Sequence, residues 1–471
     1  MDTRVLIAGA GPTGLVLGIE LARRGVDLRI VDAATSPFAG SRGDGLQPRT
    51  LEVFDDLGVL DEVLGSGGPV VPLRAHVGGQ YVGERRMVDP VDPTPDVPHP
   101  NPWVLPQWRT EEILRNRLAE LGVRVERGVE LLDFHQDPDG VTATLSTGAV
   151  HAEHLVGADG GRSTVRKALG VEFAGETDEG IRALLADVQV TGLDHSCGHW
   201  FGAADNPFHG IGLTPLPGMD AFQCNAPLTG DTDPADPLGT LQRLLDEHSG
   251  RTDLRLHDLT WSTVWRPNIR MVRQFRRGRV FLAGDAAHVH PPTGGLGLNT
   301  GVQDAYNLGW KLADGSPELL DSYEAERMPV AAAALGVSAE LLRRHVDGHP
   351  DAHRRDDRGT NQLHISYRDS PLSHDERPEP GAVRAGDRAP DSPLRDENGK
   401  QVRLFDLFRG PHWTHLAFDT EPPEPTPDVH THRISRTGPL LDPDGTAHTT
   451  YDVTPGTHVL IRPDGHIARI S

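Results

Sequence analysis

The 471-residue sequence predicts a mixed α/β chain: a parallel sheet flanked by helices, a second β-sheet layer, and a smaller α/β unit after them. Three observations predict it. The first 32 residues run strand, glycine turn, helix, strand. A strand ending in a Gly/Asp pair recurs twice further on. Between these, two Gly/Pro-rich stretches alternate apolar with polar residues. A chain of this length exceeds one ordinary core, so two or three packed units are expected.

In order, Arg4–Ala8 is a short apolar run, Leu15–Ala22 carries helix formers closed by Gly25, and Leu28–Val31 makes a second strand ending at Asp32. Gln47–Leu64 has helical Leu/Val/Phe spacing. Gly65–Pro106 reads as a sheet excursion into a second layer, and Thr110–Leu121 as an amphipathic helix. Strands follow at Val123–Glu126, Glu130–His135, Val141–Ser146 and His154–Ala158, with a turn at Asp137–Gly140 and a helix at Thr164–Leu169. Residues 180–270 read as antiparallel β with turns at Pro215–Gly218 and Asp231–Pro237, interrupted by a helix at Leu238–His248. Gly278–Ala283 is the last strong strand before a helical region from Gly301 to Arg344, broken at Gly315–Pro317. The expected division is 1–70, 105–180 and 270–345 as one domain and 71–104 plus 181–269 as a β-sheet domain. A linker at 346–380 wraps the surface, and 381–471 is a third unit with strands at Trp413–Phe418 and Thr457–Ile461.

Lys+Arg 46 against Asp+Glu 68 gives a net charge of −22, a field that repels nucleic acid and anionic lipid. Cys197 and Cys224 match no disulfide framework and no metal spacing, which suits a reducing cytosol. No stretch approaches the roughly 18 apolar residues of a membrane span, and the chain starts in a strand without a leader pattern, so a cytoplasmic protein is expected.

Gly9-Ala10-Gly11-Pro12-Thr13-Gly14 fits G-x-G-x-x-G between strand and helix, with Asp32 at the end of the next strand. Such glycines permit a tight turn and close backbone approach to a pyrophosphate at the helix N-terminus, while the acid accepts from a ribose hydroxyl. This is a Rossmann-type adenine dinucleotide signature that leaves NAD and FAD both open. Two later motifs decide for FAD. Leu282-Ala283-Gly284-Asp285-Ala286-Ala287-His288 puts an Asp at a strand end, placed to accept from ribityl hydroxyls. Pro291-Pro292-Thr293-Gly294-Gly295-Leu296-Gly297-Leu298-Asn299 then leads into a helix whose amides stabilise negative charge on a flavin pyrimidine edge. Pro292 offers a carbonyl but no N–H beside the reactive flavin carbon. Gly157-Ala158-Asp159-Gly160-Gly161-Arg162-Ser163 is the third motif.

In this order and spacing the motifs resemble the p-hydroxybenzoate hydroxylase-like single-component flavoprotein monooxygenases. The nearest branch hydroxylates polycyclic aromatic polyketides and inactivates rifamycin-type antibiotics. The run His288–Pro292 through Gln303-Asp304-Ala305-Tyr306-Asn307-Leu308-Gly309-Trp310-Lys311-Leu312 carries the likeness, which covers residues 1 to about 335. It extends to Arg384–Pro390 and Arg462–Gly465, which are similar to the branch's thioredoxin-like C-terminal domain. That domain lacks a Cys-x-x-Cys pair here, which leaves packing or dimerisation as its role.

The resemblance implies non-covalent FAD, NADPH or NADH as reductant, and O2, with a flavin C4a-hydroperoxide oxygenating a hydrophobic aromatic compound. Carried over residue by residue, Thr13, Asp32 and Ala33 contact the adenosine and pyrophosphate side, and Arg42 reaches the diphosphate. Gln107 hydrogen-bonds FAD, and Leu131 meets the adenine through its backbone. Asp285 holds the ribityl chain, Gly297, Leu298 and Asn299 present amides to the pyrimidine ring, and Asp159 serves both FAD and NAD(P)H. Many members carry a basic residue where Asp44 stands and Gln where Leu296 stands.

Candidate substrate contacts are Trp103, Trp200, Phe201, Phe208, Phe222, Gln223 and Asn225, each competing with a plain core role. His345, His349 and His353 recur every fourth residue, but Gly348 and Pro350 break the helix a metal site would need. A Baeyer–Villiger oxygenase and an O2-independent flavin reductase remain open beside the hydroxylase. The Asp159-Gly-Gly-Arg-Ser and His290-Pro-Pro motifs favour the oxygenase. A non-catalytic flavoprotein-fold module is disfavoured by the intact Gly9, Gly11, Gly14, Asp159 and Asp285. Either a monomer or a homodimer fits.

Overall fold

The computed structural model describes residues 1–206, 209–230, 233–349, 351–355 and 357–471. Phe208, part of the 231–237 turn and Pro350 lie outside the described residues. The chain opens with β1 (Thr3–Ala8), then α1 (Pro12–Ala22), where Pro occupies a first-turn position whose N–H would be unpaired anyway, then β2 (Leu28–Asp32). The hairpin β3 (Leu73–Val77) and β4 (Gln80–Arg85) precedes α2 (Gln107–Glu120). Next come β5 (Val125–Arg127), β6 (Leu131–Gln136), β7 (Val141–Leu145), β8 (Gly148–Gly157) and α3 (Thr164–Leu169). The second layer supplies β9 (Ala183–Thr191), β10 (Gly198–Gly202), β11 (Gly210–Pro215), β12 (Phe222–Pro227), α4 (Pro237–Ser249) and β13 (Arg255–Trp265). The chain returns through β14 (Val280–Leu282), α5 (Gly297–Asp314) and α6 (Pro317–Val346). The last unit holds β15 (Trp413–Phe418), β16 (Val429–Ser435), β17 (His458–Ile461) and β18 (Ile467–Ile470).

The first sheet runs β14, β8, β1, β2, β5, all parallel, with β7 and β6 added antiparallel on β8. Ala8 pairs with Gly157 and Val31, and Gly157 with Leu282. The residues that follow, Gly9, Asp32, Asp159 and Gly284, therefore come level at the carboxyl edge, where parallel sheets bind ligands. The second sheet runs β13, β9, β12, β11, β10, β3, β4 and is antiparallel except where β10 meets β3. The third joins β16, β15, β17 and β18, with β15/β16 parallel and the other pairs antiparallel, a thioredoxin-like order. Both cysteines lie outside it, in or beside the second sheet.

Three expectations change. The 47–64 helix is two, Pro48–Asp56 and Leu60–Ser66, parted at Gly58 with φ +73. The long helix starts at Gly297, four residues before Gly301, so the whole Gly297-Leu298-Asn299 segment forms its first turn. The 346–380 segment also does more than wrap the surface. Gln362, Tyr367 and Ser370 are buried, and they exchange hydrogen bonds with Gln303, Arg327 and Glu326 on α5 and α6. Among the described residues no helix is long and apolar enough to cross a membrane.

Candidate active site

Four strand ends of the first sheet build one cleft. At Gly9, with φ +103, a Cβ would stand 2.2 Å from Ala158 O, and at Gly14 one would stand 2.0 Å from Gly9 O. Gly11 differs: a Cβ there would meet nothing within 4 Å. Two glycines allow backbone to touch backbone, and the third keeps open the space in front of the α1 N-terminus. No side chain caps that helix, so its first amides face the opening.

Thr13 ties this turn to the second motif. A Cβ at either Gly284 or Gly301 would sit 2.5 Å from Thr13 Oγ1, so α1 and α5 approach over two glycines. Asp32 accepts from Ala10 N and Ala34 N, both at 2.8 Å, which fixes its carboxylate at the edge of the turn beside exposed Ala33. Asp285 is reached by water although protein surrounds it. Its carboxylate takes no hydrogen bond among the described residues, and burial raises its pKa against the opposing pull of His288 and Arg42. An unpaired carboxylate and the exposed guanidinium of Arg42 thus lie near enough to interact, both open to solvent. An adenine dinucleotide with a polyhydroxyl chain fits this donor and acceptor set.

The loop from Pro291 to Leu296 closes the far side. Pro292 and Gly295 are exposed, and the Pro292 carbonyl accepts from Gly295 N at 2.8 Å. Asn299 is buried, and its side chain accepts from Gln47 N (2.8 Å) and donates to Gly45 O (2.8 Å) and Gly295 O (2.7 Å). That leaves only the backbone amides of Gly297, Leu298 and Asn299, first-turn groups without an intrahelical acceptor, to meet a ligand. Gln107 accepts from Gly43 N at 3.1 Å and donates to Glu111 at 2.9 Å, next to Leu298. Leu131 is buried in the core, so only its backbone remains for an adenine.

Asp159 has a structural task that the motif did not reveal. Its Oδ2 accepts from Thr164 N (2.7 Å) and Val165 N (3.2 Å) at the start of α3, while its buried Oδ1 has no partner. Arg166 then stitches the motifs together, donating to Ala286 O and Gly161 O at 3.0 and 2.7 Å. The sequence reading also missed Glu111, buried beside Arg115, Arg127 and Asp32; burial pushes its carboxyl up to about 7. The Gln107-x-x-x-Glu111 spacing, one helical turn, was the available signal. Asp304 was passed over too: it accepts from Gly284 N at 3.0 Å, His288 at 2.7 Å and Arg327 at 2.7 Å, which anchors α5 beneath the cleft.

The substrate candidates separate by face. Strand side chains alternate, and Phe201 (1% exposed) and Phe222 (0%) point into the core made with Leu241 and Leu245 of α4. They are core residues and cannot touch a ligand in the cleft. Gln223 and Asn225 take the other face, with Trp200 level with Gly212 and Asn225. Gln223 bonds Ser41 at 3.0 Å, and Ser41 N donates to Asp187 at 2.9 Å, so this face looks toward the Arg42 loop. Asp44, on that loop, is pushed up to about 6 by burial and by the charge of Asp187. Trp103 packs half-buried against the first core, its Nε1 without a partner. A cavity of about 260 Å³ is lined by Gln47, Val91, Asn101, Thr360 and Leu363 among others.

Residues 2–338 match the family model described as FAD binding domain. A "Flavin-dependent monooxygenase" of Mycobacteroides abscessus is 47% identical over 98% of this chain and 96% of its own. A "Rifampicin monooxygenase" of Streptomyces venezuelae is 38% identical over 74% of each chain. The solved ternary complex of aklavinone-11 hydroxylase with FAD and aklavinone superposes with a TM-score of 0.82 at 27% identity, covering 100% of this chain and 95% of that one. The three strand-end motifs thus belong to an FAD-dependent monooxygenase, and the chain is a member of the FAD binding domain family of flavin-dependent aromatic hydroxylases.

Proposed function

We propose that the enzyme hydroxylates an electron-rich aromatic compound of the polyketide type, using NADH or NADPH and O2. The observation that carries this reading is the single cleft formed where Gly11, Asp32, Asp285 and the first turn of α5 converge. FAD, bound there without a covalent link, supplies the redox and oxygen chemistry.

The chain's own residues bind and orient it. Thr13 and the α1 amides take the diphosphate with Arg42; Asp32 and Ala33 take the adenosine ribose, with the Leu131 backbone toward the adenine. Asp285 accepts from the ribityl hydroxyls. Gln107 holds the Gly43 segment against the ring system. Gly297, Leu298 and Asn299 direct their amides, and the positive end of α5, at the pyrimidine edge, where negative charge develops on reduction. Pro292 lies beside the reacting centre with no N–H to compete for a proton. Asp159, by fixing the start of α3 through Thr164 N and Val165 N, holds the strand-end loop toward the nicotinamide cofactor, and the substrate ring rests against Trp200, Gln223 and Asn225. The acidic surface, net −22, disfavours nucleic acid as a partner, and a monomer or homodimer in the cytoplasm fits the chain.

Relatives bearing the names rifampicin monooxygenase and aklavinone-11 hydroxylase support a polycyclic phenolic substrate. The test is a panel of polyphenols screened for stimulated NADH and NADPH oxidation, followed by product connectivity with labelled O2. Label in a new phenol supports the assignment. Label in an ester or lactone linkage identifies a Baeyer–Villiger enzyme, and reduction without incorporation identifies a reductase.

A further inference from the structure

The turn leading into β10 gathers three different donor types. Asp194, Cys197 and His199 each bring one ligand atom within 4.8 Å of the other two, the only such group among the described residues. Cys197 Sγ lies 3.9 Å from Asp194 Oδ1 and 3.8 Å from His199 Nε2. A tetrahedral zinc ion with a sulfur at about 2.3 Å and a nitrogen at about 2.1 Å needs those two atoms ~3.6 Å apart. The present separations exceed that by a few tenths of an ångström.

The spacing has a local cause. His199 lies on β10 with its side chain opposite Trp200, and the bend just ahead of the strand brings the Cys197 sulfur to its ring. Both are buried, whereas the Asp194 side chain is 53% exposed, which gives an ion its path and leaves a position for water. Asp194 Oδ1 is oriented by Ser196 N at 3.0 Å, while Oδ2 faces Arg74 at 3.4 Å. Oriented ligands of this kind are what a metal site requires behind its first contacts. Hydrogen bonds account for each of these contacts taken singly, the thiol meeting both the carboxylate and the imidazole nitrogen; the convergence of all three donor atoms on one point is what an ion would use.

We propose that Asp194, Cys197 and His199 bind a borderline-soft divalent cation of the zinc class, which pins the turn ahead of β10. Binding breaks the Cys197 S–H bond and the contact of His199 Nε2 with Asp194 O (3.0 Å), forms metal–sulfur, metal–nitrogen and metal–oxygen bonds, and releases the thiol proton to solvent. The site stands on the face of the second sheet turned from the flavin cleft, so it acts on β10 and not on the redox step.

The flavin-loaded protein is stripped with a chelator and dialysed against zinc chloride. Metal per chain is then measured by mass spectrometry and its neighbours by zinc X-ray absorption. One retained zinc with a sulfur neighbour at about 2.3 Å is expected. Cys197→Ala and His199→Gln are expected to weaken retention by roughly tenfold or more, with FAD content and NAD(P)H oxidation unchanged, while Cys224→Ala keeps the metal. Absence of retained zinc in the wild type, or zinc with only nitrogen and oxygen neighbours, overturns the proposal. Undiminished retention in Cys197→Ala does the same. Should either variant lose its flavin, the sulfur neighbour in the wild-type spectrum decides.

Discussion

Thr13 Oγ1 occupies the space that a Cβ on Gly301 would need, 2.5 Å away, while Thr13 Cβ stands back at 3.7 Å. The glycine-rich turn and the flavin-side helix thus approach over one hydroxyl. Gly301→Ala is expected to push α1 and α5 apart and to lower FAD retention on gel filtration. Adding Thr13→Ala removes the clashing atom and is expected to restore part of the thermal midpoint that Gly301→Ala loses in the flavin-free protein, where the Thr13 contact with the diphosphate plays no part. An equal drop in that midpoint in the single and double variants would refute the steric account.

The two faces of the second sheet predict opposite phenotypes. Phe222→Ala empties a core position and is expected to lower stability by about 3–5 kcal/mol. Trp200→Ala on the other face is expected to raise KM for the aromatic substrate, with only a small change in thermal midpoint. Denaturant melts and steady-state kinetics on both variants separate the roles.

The turn Arg462–Gly465 is wedged into the flavin domain. Arg462 bonds Glu326 at 2.7 and 2.9 Å, and Lys311 bonds the same carboxylate at 2.6 Å. Trp310 Nε1 and Asn307 Nδ2 donate to Asp464 at 3.2 and 3.1 Å. Burial alone would raise Glu326; Arg462 and Lys311 outweigh it and hold its carboxyl down to about 2. Arg462→Ala strands a buried carboxylate, and a loss of about 3–5 kcal/mol is expected. Urea unfolding measures it, and a loss below 1 kcal/mol contradicts the buried network.

Glu111 predicts a pH dependence. Burial raises its carboxyl from 4.5 to about 7 in the folded protein. The folded state then binds more protons than the unfolded one between those values, so stability falls as pH rises through the window, by at most about 3 kcal/mol. Glu111→Gln is expected to flatten the slope between pH 4.5 and 7. Melting curves across that range test it, and an unchanged slope in the variant assigns the dependence elsewhere.

The parallel sheet and its motifs were legible because each strand-end glycine or aspartate answers a local backbone need that six or seven residues can spell out. Gly9 and Gly284 are of this kind. Phe201 and Phe222 stayed open between core and ligand contact because composition marks a residue as apolar without saying which side of a strand it takes; the α4 core decides that. The buried residues Gln362, Tyr367 and Ser370 of the 346–380 segment escaped notice for a related reason. They look solvated until Gln303, Arg327 and Glu326, distant in sequence, supply their partners. Asp159's cap on α3 depends on backbone amides, which no side-chain pattern displays.

The wedge at Arg462 also sets an order of events during synthesis. Glu326 is made 136 residues ahead of the arginine that neutralises it. At about 5–20 residues per second, the nascent flavin domain waits roughly 7–27 seconds with that carboxylate met by Lys311, Asn307 and Ser370 but not by its arginine. Maturation of the helix that carries the pyrimidine-facing amides is therefore a late step, completed when the following domain docks. A ribosome stalled before Arg462 leaves a chain with every nucleotide-binding motif intact and its central helix unfinished.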